Sequence, residues 1–335
     1  MSTKTTALSG GRSSLRDNIT RYFSFSAIII LVVVLTATQD NFLGQMNLRN
    51  LLRDTAPLMI MSAGMTMVLL FGSIDLSMGA VCSVSNVTYV HLLLYFQDSG
   101  MNAAVVNLLA MGISLLFGLA SGLALGFIHV KLKVPSFIAS LGFMSLWQSV
   151  ALLITMNPES VPKVLWPAVD WYKIVFGVVG LPLIIALIII LFIHCVTRFT
   201  PSGRAIFAIG GNERTARVAG MGVDSTKILV FAINGVLAAL AGIFLAANLR
   251  SSAPTIGDPF TLKIVAACAL GGTSLAGGKG SELGTILGVF TVSIIENGMN
   301  FIGVNAYYQN IVFGIFVLAA IALTVDRSIR GQIVK

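Results

Sequence analysis

Long apolar runs alternate with short polar connections along this chain, and the pattern predicts a bundle of membrane-spanning helices. A spanning helix needs about 20 apolar residues. Ten runs approach this length, and they cover residues 23–38, 57–71, 76–96, 103–130, 136–156, 174–196, 228–247, 262–275, 281–299 and 308–325. The second and eighth runs are short for a complete crossing. The predicted fold class is an all-α integral membrane protein with about ten transmembrane helices.

The basic residues predict how these helices are oriented. Cytoplasmic loops of membrane proteins carry an excess of Lys and Arg. With residues 1–22 in the cytoplasm, 15 of the 21 Lys and Arg residues fall on the cytoplasmic side of ten spans. We therefore expect both termini to be cytoplasmic, with tails over 1–22 and 327–335. Between them we expect a single transmembrane domain over 23–326 with a cytoplasmic loop at 197–227.

The composition agrees with a lipid environment and argues against a soluble protein. The 335 residues are 56% hydrophobic and only 10% charged, whereas soluble domains carry about 25% charged residues. The net charge of +8 arises in short loops between apolar runs rather than on one face of a soluble domain. This distribution argues against a nucleic-acid partner.

Glycine recurs at every fourth position in two of the runs. The positions are Gly118, Gly122 and Gly126 in the fourth run and Gly280, Gly284 and Gly288 at the ninth. This spacing puts small residues on one helix face and predicts close approach of another helix backbone. Because the two runs are five apart, they have opposite directions, which favours an inverted internal repeat.

The loop at 197–227 contains a predicted short helix. Asn212 is a suitable N-cap and Gly220 is a suitable end for a helix with the sequence Asn-Glu-Arg-Thr-Ala-Arg-Val-Ala-Gly. A polar helix of this length is marginal in water. Two interpretations remain open, namely a solvated connector and a surface that binds a partner protein.

A single carboxylate lies between the second and third apolar runs. Asp75 lies in the segment Gly-Ser-Ile-Asp-Leu-Ser-Met-Gly at residues 72–79. A helix break at membrane depth is tolerated only against protein or a water-filled cavity. Asp75 could cap the third helix or belong to a solute pathway, and these two roles are compatible.

Three further segments carry candidate chemistry. Residues 271–281 resemble a phosphate-binding loop but lack the required spacing of Gly, four residues, then Gly-Lys-Ser/Thr, so we predict a re-entrant turn.

Glu282 and Glu296 lie near helix ends, where we expect them to reach water or, for Glu282, to pair with Lys279. Ser136 and Ser140 share a helix face, which predicts either a polar path or interhelical hydrogen bonds.

Four ordered motifs resemble the permease subunits of bacterial ABC importers for simple sugars, the ribose-type family. The family pattern Gly-Gly-Ile-Asp-Leu-Ser-x-Gly matches residues 72–79, with Ser73 in place of the second glycine. Pro-Ser-Phe-x-x-x-Leu-Gly matches 135–142, and Gly-Gly-Thr-Ser-Leu-x-Gly-Gly-x-Gly-Ser matches 271–281. The pattern Gly-Arg-x-x-x-Ala-x-Gly-Gly-Asn matches 203–212, and the Ala and Gly that follow it in the family are Ala216 and Gly220. The resemblance covers roughly residues 45–328.

This resemblance implies a type II importer permease fold, like that of the cobalamin transporter, in the bacterial inner membrane. Two permease chains, identical or paralogous, would form the pathway, and a periplasmic binding protein would deliver the sugar. ATP and Mg²⁺ would be used by a separate ATPase, so this chain would be neither an enzyme nor a cofactor-binding protein. The residues expected to contact the ATPase are Arg204, Asn212, Glu213, Arg214, Ala216, Arg217 and Gly220. The residues expected along the pathway are Ser73, Asp75, Ser77, Phe137, Ser140, Thr273, Ser274 and Asn297.

Other functions stay open from the sequence. A permease for nucleosides or branched-chain amino acids is the nearest alternative. An ion-coupled carrier would use Asp75 or Glu296 as its coupling carboxylate, but it would not require the loop at 204–220. A membrane enzyme is the weakest alternative, since no set of nucleophile, base and orienting group converges.

Overall fold

The structure is a computed structural model that describes residues 29–30, 32–39 and 41–324. The predicted tails and the start of the first apolar run lie outside these residues. After the helical residues 29–30 and 32–38, the described chain forms twelve α-helices. They are α1 (Gln45–Leu70), α2 (Met78–Tyr95), α3 (Ala103–Lys131), α4 (Ser136–Ile154), α5 (Trp166–Val169), α6 (Leu181–Phe199), α7 (Pro201–Gly211), α8 (Glu213–Val218), α9 (Val223–Leu249), α10 (Phe260–Leu270), α11 (Glu282–Phe301) and α12 (Ala306–Thr324).

Five of the described helices, α2, α3, α4, α6 and α9, are long and apolar enough to cross a membrane. This confirms a multi-pass, all-α membrane protein, while ten crossings stay a prediction. The eighth run forms α10, which has only 11 residues, as its short apolar stretch predicted.

Two predicted boundaries were wrong because tertiary contacts decide them. Helix α1 begins at Gln45, twelve residues before the apolar run that starts at Pro57. Its polar first half is held by contacts elsewhere in the chain, including a hydrogen bond from Arg49 to the carbonyl of Gly177. The sixth run was predicted to be helical from residue 174. Its start instead forms a hairpin of strands β1 (Val175–Phe176) and β2 (Val179–Gly180).

Helix α9 lies at the centre of the bundle and packs along α1, α2 and α3. Glycines of α3 allow a close backbone contact with α9. A Cβ atom added at Gly118 would overlap the carbonyl oxygen of Gly235, and one added at Gly122 would overlap that of Phe231. The second set of regularly spaced glycines also allows close packing, since a Cβ atom added at Gly288 of α11 would overlap the carbonyl oxygen of Ala267 in α10. The predicted close backbone packing is therefore confirmed for Gly118 and Gly122 of α3 and for Gly288 of α11, whereas Gly280 lies in the turn before α11 rather than on its face.

The outer faces of α3, α4 and α6 remain apolar and exposed. Leu116, Leu153 and Phe192 are each more than 60% exposed. Apolar faces of this kind are stable in the hydrocarbon core of a membrane. In a membrane-embedded bundle they contact lipid or a second copy of the chain.

We expect Gly122→Ala to destabilise the fold. The new methyl group would overlap the Phe231 carbonyl oxygen, so α3 and α9 must separate, and overpacking a tight contact costs about 1–3 kcal/mol. The measurement is thermal unfolding of the purified protein in detergent.

Gly112→Ala in the same helix is the matched control, because nothing lies within 4 Å of its added Cβ. The control should unfold at the wild-type temperature or slightly above, since alanine favours helix over glycine. Equal unfolding temperatures for the two variants would contradict this account of the α3–α9 contact.

Candidate functional site

Two irregular segments meet at one end of the helical bundle, at residues 71–77 between α1 and α2 and at residues 271–281 between α10 and α11. The backbone N–H of Gly278 donates to the carbonyl of Leu70 over 2.8 Å. A Cβ atom added at Gly277 would lie 2.8 Å from the backbone of Gly72. The segment 271–281 is thus the tight turn that its sequence predicted, and it packs against the first broken segment.

Helix α7 joins the same contact. A Cβ atom at Gly210 would overlap the Leu70 carbonyl oxygen and lie 2.5 Å from the Gly278 nitrogen. Gly72, Gly277 and Gly278 have φ values of 83°, 88° and 72°, a region that favours glycine. We refer to Gly72, Gly210, Gly277 and Gly278 as the glycine junction.

Asp75 is buried beside this junction and makes three hydrogen bonds. One carboxylate oxygen accepts from the backbone N–H of Ser77 at 2.8 Å and from its hydroxyl at 2.6 Å. The other accepts from the side-chain amide of Asn234 in α9 at 2.8 Å. The residue at the N-cap position of α2 is Ser77, not Asp75. Asp75 therefore closes a turn just before the helix and ties the broken segment to α9.

The start of α4 lies against this segment. The Ser136 hydroxyl accepts a hydrogen bond from the backbone N–H of Ile74 at 3.4 Å. Ser140 is buried and donates to the Phe137 carbonyl at 3.0 Å, while the Phe137 ring is half exposed. Ser136 thus joins the start of α4 to the first broken segment, and Phe137 and Ser140 follow it in the same helix.

The two predicted hydroxyls of the second segment have different surroundings. Thr273 is fully buried, and its hydroxyl has no hydrogen-bond partner among the described residues. Ser274 belongs to the turn, where its hydroxyl accepts from the backbone N–H of Ala276 at 3.2 Å. A buried hydroxyl without a partner is costly, and among the described residues Thr273 is such a position.

Helices α7 and α8 project from this end of the bundle. The Asn212 side chain accepts from the Thr215 N–H at 2.9 Å, which confirms Asn212 as the N-cap of α8. Gly220 follows the helix end with a φ of 78°. The predicted loop at 197–227 was too long, because residues 197–199 belong to α6 and residues 223–227 to α9. It also contains α7, a second helix that the sequence did not predict. Thr200 caps α7 by accepting from the Gly203 N–H at 3.2 Å.

Ion pairs fix α8 on the start of α9. Glu213 accepts from Lys227 at 2.7 Å and from Arg217 at 3.2 Å, and Arg217 also reaches Asp224 at 2.8 Å. The hydrogen bond from Lys227 holds the pKa of the Glu213 carboxyl below its ordinary value, which outweighs the opposing effect of partial burial. Glu213 is therefore ionised at neutral pH.

The remaining residues predicted to contact an ATPase divide into two groups. Arg204 and Arg214 are exposed on α7 and α8, where a partner protein can reach them. Ala216 is buried and faces the bundle, so it positions α8 instead of presenting a surface.

Glu282 does not have the surroundings predicted from its place near a helix end. It is fully buried, and its carboxylate lies 3.0 Å from Nδ1 of His194 in α6. The predicted contact with water or with Lys279 is therefore wrong. The sequence could not show this pair, because the two residues are 88 positions apart and lie in different helices.

Asn297 lies at the opposite end of the bundle, apart from the other predicted pathway residues. It lines a cavity of about 210 Å³ between α1, α9, α10 and α11. The other polar residues of this lining are Asp54, Thr55, Asn248, Ser293, Glu296 and Asn300. Sequence reasoning missed Asp54 because it read the first half of α1 as a loop. The available signal was helical spacing, since Leu51, Asp54, Thr55 and Leu58 share one face.

Interrupted helices that meet within a helical bundle are common among membrane transport proteins. A family model described as "Branched-chain amino acid transport system / permease component" matches residues 47–321. The chain belongs to this family of permease components.

Curated relatives extend over nearly the whole chain. The ribose import permease protein RbsC of Escherichia coli strain K12 is 35% identical over 95% of this chain and 97% of its own length. RbsC of Bacillus subtilis strain 168 is 33% identical over 91% of this chain and 92% of its own length. The xylose transport system permease protein XylH of Escherichia coli strain K12 is 31% identical over 93% of this chain and 94% of its own length. These matches confirm the resemblance to ribose-type ABC permeases.

Gly210→Ala should displace α7 from the glycine junction. The added methyl group would overlap the backbone at Leu70, and neither backbone can yield as a flexible side chain would. We expect a lower unfolding temperature and tryptic cleavage at Arg204 and Arg214 that is several-fold faster, because local opening exposes the chain to protease.

Gly211→Ala is the matched control for this experiment. It adds the same methyl group one residue away, where nothing lies within 4 Å. The interpretation fails if both variants are cleaved at the wild-type rate.

Asp75→Ala should destabilise the protein by about 1–3 kcal/mol, because it leaves buried donors of Ser77 and Asn234 without an acceptor. Asp75→Asn should cost less. Its new amide can donate to the Asn234 side-chain oxygen, which has no partner among the described residues, once the Asn234 amide rotates. Thermal unfolding of both variants in the same detergent tests this order. An Asn variant as unstable as the Ala variant would show that the negative charge itself is required.

Proposed function

We propose that this chain is the membrane-spanning permease subunit of an ATP-driven ABC importer that carries a monosaccharide, such as ribose or another simple sugar. The observation that carries the proposal is the similarity to ribose and xylose permeases over more than nine tenths of the chain. The proposed location is the bacterial inner membrane, with both termini in the cytoplasm and ten crossings in a type II importer fold.

The pair α7 and α8 is the proposed attachment surface for a separate ATPase, which would bind and hydrolyse ATP with Mg²⁺. Three features support this role. Arg204 and Arg214 are exposed, α8 is fixed to α9 by ion pairs, and the sequence lacks a phosphate-binding loop of its own. The excess of basic residues supports a cytoplasmic position for this end.

The proposed mechanism is alternating access driven by the ATPase. A displacement of α7 reaches both broken segments directly, because Gly210 contacts Leu70 and Gly278 without intervening side chains. Two permease chains would enclose the pathway. The residues that we assign to it are Ser73, Asp75, Ser77, Phe137, Ser140, Thr273 and Ser274, with Asn297 at the periplasmic end. A periplasmic sugar-binding protein would deliver the solute there.

A branched-chain amino-acid permease is the second candidate, and the description of the matching family favours it. The curated relatives favour sugars instead, since RbsC and XylH, which are 31–35% identical to this chain, carry ribose or xylose in their names. We therefore place the sugar first.

Uptake should require a separate ATPase and should select sugars. The experiment reconstitutes the permease in liposomes with a candidate ABC ATPase and a candidate sugar-binding protein from the same organism, with ATP supplied to the ATPase. D-ribose, D-xylose and L-leucine serve as labelled solutes. We expect ATP-dependent accumulation of at least one sugar and none of leucine.

The permease alone, under imposed proton and sodium gradients, is the control. It should accumulate none of the three solutes. Accumulation driven by an ion gradient would overturn the ABC assignment, and ATP-driven uptake of leucine without sugar would establish the second candidate.

A further inference from the structure

The cavity that contains Asn297 has walls that are already arranged by hydrogen bonds. Asn297 and Asn47 form a reciprocal amide pair, with both N···O distances at 3.0 Å. Asn248 donates to Asp54 at 3.2 Å, and Asn300 accepts from Gln309 at 2.7 Å. These bonds join α1, α9, α11 and α12 around one space. The polar groups are therefore held in position before any ligand arrives, which reduces the entropy lost on binding.

The charges at the cavity are balanced within the chain. Glu296 pairs with Lys263 at 2.6 Å, and Asp54 pairs with Arg53 at 3.1 Å. Within the described part of the chain, the second oxygen of each carboxylate has no hydrogen-bond partner. Two carboxylate oxygens are thus free to accept hydrogen bonds, although neither carboxylate lacks a cation.

This arrangement selects against charged solutes. The carboxylate of an amino acid would need a cationic partner, and no cationic side chain is among the described residues that line the cavity. A metal ion or proton would have to compete with Lys263 and Arg53. A neutral solute with several hydroxyl groups meets neither obstacle, because each hydroxyl can donate to a carboxylate and accept from an amide.

The size and the apolar part of the lining point to a single sugar ring. The volume of about 210 Å³ lies below the roughly 300–1,000 Å³ of pockets for drug-sized ligands. Phe260, Leu58 and Leu245 supply apolar surface beside the polar groups. A sugar ring presents C–H groups on its faces and hydroxyls at its edge, and it can contact both kinds of surface at once.

We propose that this cavity is a binding site for one neutral monosaccharide within each permease chain, at the end of the bundle remote from α7 and α8. The inference rests on the proposed import of a sugar and specifies where the solute is first held. Asp54, Glu296, Asn248 and Asn297 provide the hydrogen bonds, and Phe260 contacts the ring.

The test is saturation-transfer NMR on the purified full-length permease in nanodiscs, with D-ribose, D-xylose and L-leucine as separate probes. This method detects weak binding without the ATPase or the binding protein. We expect transfer to at least one sugar and none to leucine. Asn248→Leu should reduce the signal at a fixed sugar concentration by about tenfold or more, because it removes an amide and occupies part of the cavity.

Asn157→Leu is the matched control, since Asn157 is exposed in the loop that follows α4 and does not line the cavity. It should keep the wild-type signal. Glu296→Gln is a second variant that preserves shape and should weaken binding to a similar extent, and thermal unfolding of each variant confirms that it is folded.

The outcomes separate this inference from the proposed function. Absence of a sugar signal in the wild type, while the reconstituted importer accumulates that sugar, would overturn the cavity as a binding site and leave the import function intact. Equal signals in the wild type, Asn248→Leu and Glu296→Gln would also overturn it. Transfer to leucine together with leucine uptake would overturn both proposals.

Discussion

Close backbone contact at the glycine junction is the constraint on which the arrangement of this permease depends. Gly210 leaves no room for a side chain between α7 and the carbonyl of Leu70, and Gly277 leaves none against Gly72. Three segments that are distant in sequence therefore touch without side chains between them. A backbone contact of this kind transmits displacement with little loss, because there is no flexible side chain to absorb the motion. The external helices and the breaks at residues 71–77 and 271–281 consequently form one mechanical unit.

Helix α9 provides a second connection between the same regions. Lys227 in its first turns binds Glu213 of α8, and Asn234, two turns further along, binds Asp75. Residues seven apart lie on one face of a helix, so α9 presents both contacts from a single side. The ion pair is partly exposed and responds to salt, whereas the Asp75 contact is buried. An ATPase that moves α8 would therefore act on the broken segment through α9 as well as through α7.

The polar residues at the two ends of the bundle have different kinds of partners. Near the glycine junction, Asp75 is bound by donors within the protein, which suits a residue that holds a bend in place. At the remote cavity, Glu296 is paired through one oxygen only, which suits a residue that also accepts from a solute. A permease that receives its solute from a binding protein needs little affinity of its own, and one small cavity with balanced charge is consistent with that requirement.

The sequence by itself determined the membrane class, most of the helices, the glycine packing faces of α3 and α11 and the N-cap of α8, because these features depend on local composition and on the helical period. It also identified the family through four motifs. The tertiary structure decided what long-range contacts control. Helix α1 extends through a polar stretch because the side chain of Asn47 forms hydrogen bonds with Asn297, 250 positions away. Glu282 is buried because His194 lies opposite it. Asp75 acts through Asn234 as well as through its neighbour Ser77. The cavity exists only where the ends of four helices meet. A polar side chain near a helix end can be satisfied by water or by another helix, and only the packing of the bundle determines which of these partners is present.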